Sequence, residues 1–167
     1  MGRTTRRNCR QGLNPEAADT LRLRPAWRDD AGAIRDLVRL AYAKWVPLIG
    51  REPLPFQADY NLALAEHDFD LLVDCDTLVG VLESLHQPDH LWIENNAVHP
   101  DRQGHGLGRR LLKWAEKRAA TAGTSELRLV TNAAFESNIA LYQRVGYRID
   151  RTEPFLGGTA VYMSKSL

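Results

Sequence analysis

Residues 91–123, LWIENNAVHPDRQGHGLGRRLLKWAEKRAATAG, leave few folds open, because a run of β-formers passes through glycines at every second position into an amphipathic helix. Leu91, Trp92, Ile93, Ala97 and Val98 have the apolar bias of a strand interior, and Pro100 and Asp101 end it by removing a ladder donor and supplying turn chemistry. Beyond the glycines, Leu107, Leu111, Trp114, Ala115, Arg118 and Ala122 fall on one helical stripe, opposite Arg109, Arg110, Lys113, Glu116 and Lys117. Gly123 stands where a left-handed C-cap is expected. Gly104, Gly106 and Gly108 cost helix propensity, roughly 1 kcal/mol each relative to alanine. In return, backbone N–H groups at the positive helix end can approach an anion, with Arg109 and Arg110 adding charge beside it. This reads as a pyrophosphate cradle; a tight turn with close helix-to-sheet packing is the other use for the same glycines. A dinucleotide fingerprint needs glycine where Arg109 stands, and a P-loop needs Gly-Lys-Ser/Thr, which is absent.

The pattern Gln103-x-x-Gly106-x-Gly108, after a strand ending Ala97-Val98-His99-Pro100, resembles the acyl-CoA-binding signature of the GNAT superfamily of N-acetyltransferases. Asn138-Ile139-Ala140-Leu141-Tyr142, followed by Val145-Gly146-Tyr147, resembles the family's next helix and the turn into its sixth strand. The likeness covers about residues 20–167. It implies an α+β, three-layer domain: a central mixed, twisted sheet of about seven strands with a splayed parallel central pair, flanked by about four helices. It also implies acetyl-CoA as cosubstrate and direct transfer to a primary amine of a small-molecule or peptide acceptor. Acyl-CoA contacts would come from the backbone around Ala97 and Val98, from Gln103, Gly104, His105, Gly106, Leu107, Gly108 and Arg109, and from Asn138 and Tyr142. By the same resemblance Tyr142 donates a proton to the departing thiolate, and the homodimer is an expected assembly.

At 167 residues the chain is one domain by length and large enough to bury a core. A formal net charge of +1, with 26% charged residues, gives no polyanion-binding signal and speaks against a nucleic-acid partner. Cys9 and Cys75 are the only cysteines and fit neither a metal-ligand spacing nor a disulfide framework, so a reducing cytoplasm is the expected compartment. His86 and His90 flank a loop without further ligands at a suitable spacing, and no metal is expected. Residues 1–19, with Arg3, Arg6, Arg7 and Arg10 and almost no apolar content, are expected to form a mobile basic arm. Neither an apolar segment after Arg6-Arg7 nor a run of transmembrane length follows.

The remaining pattern predicts a strand over 21–24, a helix from Asp29 through Tyr42, a helix near 57–66 and a hairpin turning at Asp74-Cys75-Asp76. A strand at 126–131, parallel to 91–98, a helix at 136–145 and two final strands at 147–152 and 159–165 complete the domain. Between the first two helices lies a proline- and aromatic-rich segment which, in the resembled family, borders the acceptor pocket. Trp45, Phe56 and Tyr60 are its candidate substrate contacts, and Glu52 and Asp59 keep basic acceptors open.

A lysine-like amine, with pKa about 10.4, is mostly protonated at neutral pH, so acyl transfer to it gains from a base. Glu94 is the only acid in the central strand; if that strand is regular, Trp92, Glu94, Asn96 and Val98 share a face. Glu83 on the preceding strand is the competing base and a further substrate contact. A non-catalytic acyl-CoA sensor on the same fold is the alternative function, in which Glu94 and Tyr142 are dispensable.

Overall fold

The β-rich run around the Asp74-Cys75-Asp76 turn folds as expected into a hairpin. In the computed structural model, which describes residues 20–167, β2 (Asp68–Asp74) pairs antiparallel with β3 (Thr77–His86). Cys75 takes φ 54 at the tip and is disulfide-bonded, a pairing that the cysteine spacing does not signal. The basic arm, 1–19, lies outside the described residues.

The hairpin belongs to a seven-stranded sheet ordered β1-β2-β3-β4-β5-β7-β6. The other strands are β1 (Leu21–Pro25), β4 (Leu91–Val98), β5 (Glu126–Asn132), β6 (Arg148–Phe155) and β7 (Gly158–Ser166). All neighbours are antiparallel except β4 and β5. The helices are α1 (Ala31–Tyr42), a single turn α2 (Val46–Ile49), α3 (Tyr60–Glu66), α4 (Leu107–Thr121) and α5 (Glu136–Arg144).

Each sheet face has its own core, which makes three layers. On one face α4 packs Leu111, Leu112, Ala115 and Ala119 against Leu72, Leu82, Ile93, Leu127 and Leu129. On the other, Ile34, Leu37, Val38 and Ala41 of α1, with Tyr60 of α3, cover Phe69, Leu71, Val81 and Ala97. Each buried leucine contributes about 1.5–3 kcal/mol, so these faces hold the layers together. The buried side of α4 is wider than the predicted stripe: it includes Leu112 and Ala119, while Arg118 at its margin pairs with acids of β2. No helix among the described residues is long and apolar enough to cross a membrane.

Two irregularities of β4 shape the centre. Its parallel pairing with β5 covers only Leu91↔Leu127, Trp92↔Arg128 and Ile93↔Leu129, although β4 continues to Val98. Against β3, Glu83 pairs with Asn95 but Ser84 with Ile93, so Glu94 is the extra residue of a β-bulge. The expected common face of Trp92, Glu94, Asn96 and Val98 is therefore not formed. Ile93 and Val98 both enter the α4 core, whereas Ala97 turns to α1.

Candidate active site

Where β4 runs on without β5, a groove of about 600 Å³ opens between the loop before α4 and the start of α5. The loop is tied to the strand end: the Gln103 side-chain amide donates to the Val98 carbonyl at 3.0 Å, and Lys44 Nζ donates to Gln103 Oε1 at 2.9 Å. Gly104 and Gly106 both have φ 78, a left-handed backbone that L side chains rarely adopt, and Gly106 is the N-cap of α4. A Cβ at either would meet no protein atom within 4 Å, so the space beside them is open. Gly108 differs, since its Cβ would lie 3.3 Å from Leu141 Cδ2 of α5. Two of the three glycines thus turn the backbone and leave it bare, and the third lets α4 and α5 approach.

The first N–H groups of α4 have no partner within the helix, and Arg109, Arg144 and Lys44 line the same groove. Arg102 also lines it but is paired with Asp74, and Arg110 turns away to the Leu21 carbonyl at 3.0 Å. His105 is exposed outside the groove, with Nδ1 2.9 Å from the Gln103 carbonyl.

A second cavity of about 150 Å³ shares Tyr42, Asn96, Asn138 and Tyr142 with the groove as a common wall. Tyr142 is only 7% exposed, and burial pushes its phenol up to about 12, so it holds its proton at neutral pH. The Tyr42 hydroxyl donates to Asn95 Oδ1 at 3.0 Å; burial first, then the neighbouring Tyr142, Tyr60, Glu83 and Glu94, hold its phenol well above the usual range. Glu94 is exposed, lines this second cavity, and accepts from Trp92 Nε1 at 2.8 Å through Oε2.

A groove lined by cations and a small pocket with a protonated phenol in their common wall suit a two-substrate transfer. The model of the acetyltransferase (GNAT) family matches residues 33–147. The chain belongs to that family. A search of curated proteins finds no significant sequence match. Solved GNAT structures share the fold. The PaiA N-acetyltransferase of Thermoplasma acidophilum, in complex with coenzyme A, superposes with a TM-score of 0.79 at 17% identity, over 88% of this chain and 99% of that one. The ribosomal-protein-S18-alanine N-acetyltransferase of Escherichia coli gives 0.71 at 20%, over 87% and 93%. An acetyltransferase from Thermus thermophilus gives 0.67 at 25%, over 88% and 97%.

Within this GNAT domain, most of the residues singled out for acyl-CoA converge. Ala97, Val98, Gln103, Gly104, Gly106, Leu107, Gly108, Arg109, Asn138 and Tyr142 all line the groove, while His105 does not. The donor set fits a CoA: bare backbone at a helix N-terminus with Arg109 and Arg144 beside it suits phosphates, and the β4 edge beyond Ile93 can pair with amides.

The acceptor-side candidates separate. Glu94 lines the second cavity, whereas Glu83 lines neither space; it is 5% exposed, with Oε1 2.6 Å from His67 Nδ1. Burial pushes the Glu83 carboxyl up, opposed by the His67 hydrogen bond. Trp45 stacks on Phe135 at 4.4 Å and lines the groove rather than the pocket. Phe56 lies under the Arg39 guanidinium, 5.8 Å away, outside both spaces. Tyr60 is buried in the α1 core, its hydroxyl donating to the Pro55 carbonyl at 3.0 Å, and it too lines neither. The pocket walls come instead from Arg51, Leu54, Val130, Phe135 and Phe155. Tyr42 escaped sequence reasoning because its position continues the apolar period of α1. No group of three or more His, Cys, Asp or Glu suited to a metal occurs among the described residues.

Proposed function

We propose that this GNAT protein moves an acetyl group from acetyl-CoA directly to the primary amine of a small acceptor. The observation that carries the reading is the position of Tyr142 in the wall common to both cavities, with Glu94 on the acceptor side alone.

The backbone at Gly104 and Gly106, with Arg109 and Arg144, would hold the phosphates of acetyl-CoA, and the β4 edge at Ala97 and Val98, with Asn138, would hold its amide-bearing arm. Acetyl-CoA supplies the acetyl group and leaves as the thiol. Glu94 takes one proton from the acceptor's ammonium, freeing the nitrogen lone pair to form the N–C bond. Tyr142 Oη gives its proton to the sulfur as the C–S bond breaks, and is reprotonated by the second proton lost from nitrogen. Glu94 then returns its proton to solvent, which its exposure allows. Net, one amide, one thiol and one proton form.

The test is thiol release from acetyl-CoA with a panel of amines, and product identification by mass. Tyr142→Phe should lower kcat by about tenfold or more while leaving the KM for acetyl-CoA nearly unchanged, since the lost proton matters mainly in the transition state. Tight acetyl-CoA binding with no acetylated amine in any reaction would leave the chain a sensor.

A further inference from the structure

We infer that the acceptor is an amine that also carries a carboxylate on an apolar body, and that Arg51 reads the carboxylate. This rests on the N-acetyl transfer proposed above. Size comes first: about 150 Å³ is well under the roughly 300–1,000 Å³ of pockets for drug-sized ligands, so the acceptor is small. Its body is apolar. Leu54, Val130 and Phe155 are 49%, 42% and 44% exposed, and all three line this one cavity, a concentration of bare apolar surface that a ligand would cover.

Charge then sets the ends. Among the residues lining the cavity Arg51 is the only cation and Glu94 the only acid. The Arg51 guanidinium makes one hydrogen bond, from Nη1 to the Glu52 carbonyl at 3.1 Å, and no carboxylate partner is found for it among the described residues. The rest of its fork is open for bidentate pairing with a planar anion. The acids that keep a basic acceptor open in the sequence are placed elsewhere. Asp59 caps α3, accepting from the Asn61 and Leu62 N–H groups, and Glu52 does not line the cavity. A polycation would meet a single carboxylate and a like charge, whereas an amino carboxylate finds one partner for each of its ends.

The experiment measures kcat/KM with saturating acetyl-CoA for small apolar α- and ω-amino carboxylates, their carboxamides, the corresponding simple amines, and spermidine. The parent enzyme should prefer the best amino carboxylate over its carboxamide by about tenfold or more, as expected for a charge-assisted pair. In Arg51→Gln that ratio should fall to about one, and Arg51→Lys should restore part of it; thermal melting confirms that each variant is folded. Equal or better turnover of carboxamides, simple amines or spermidine by the parent, or an unchanged ratio in Arg51→Gln, would overturn the carboxylate assignment while leaving N-acetyl transfer standing. Acetyl-CoA binding by calorimetry without turnover of any panel member would overturn both.

Discussion

Glu83 and Glu94 stand on adjacent strands in different surroundings. Glu83 is buried against His67, and Glu94 reaches the second cavity, the proposed acceptor site, with Oε1 free of the Trp92 hydrogen bond. Glu94→Gln should keep the fold and acetyl-CoA binding but lower kcat/KM at neutral pH by about 10²–10⁴, the usual worth of general-base help. The deficit should shrink as pH rises toward the amine's own pKa, where the substrate arrives deprotonated. Glu83→Gln is the control and should follow the parent's pH–rate profile. If the two variants exchange these behaviours in steady-state assays, the base lies on β3.

Between elements, the contact with most at stake joins α4 to β2. Arg118 Nη1 lies 3.1 Å from Asp70 Oδ2 and Nη2 2.8 Å from Asp68 Oδ2, and Asp70 is only 3% exposed. Burial raises the Asp70 carboxyl above its ordinary value, with Arg118 opposing. As pH rises past the unfolded value, the folded state holds this proton longer than the unfolded state, so the group lowers stability through that window and stays unfavourable above it. Asp70→Asn should remove that part of the pH dependence in denaturant titrations. Arg118→Met should cost about 3–5 kcal/mol by leaving a buried carboxylate unpaired, and the double variant should recover much of it. This pair is half visible in the sequence, where Arg118 falls on an apolar stripe, a local conflict that marks a buried partner. The succession of strands and helices along the chain and the glycine turn were legible because periodicity and left-handed glycines are local properties. The second cavity was not, since Arg51, Tyr42 and Phe155 meet only through the fold of distant segments.

At the scale of the molecule, the groove proposed for acetyl-CoA bridges α1, β4, α4 and α5, so filling it should stabilise the whole domain. At about 100 times its dissociation constant a ligand contributes about 2.7 kcal/mol, which for a domain of this size is a rise in Tm of roughly 5–10 °C. Gly106→Val should lower the ligand-free Tm, because a β-branched residue at a left-handed φ costs about 1–2 kcal/mol. More tellingly, the rise on adding acetyl-CoA should nearly vanish in differential scanning calorimetry. A full ligand-induced rise in the variant would mean that phosphate binding does not use this turn.

The supernumerary residue at position 94 sets two stretches of β4 out of phase with each other. Ahead of it, odd-numbered side chains feed the α4 layer; behind it, even-numbered ones do, and Asn95 and Asn96 point to opposite layers, one to Tyr42 and the other toward the Gly108 carbonyl. Deleting Glu94 would therefore remove more than a carboxylate. It would pull one stretch of the strand back into step with the other, turning Ala97 and Val98 inside out or forcing the ladder to slip by one rung.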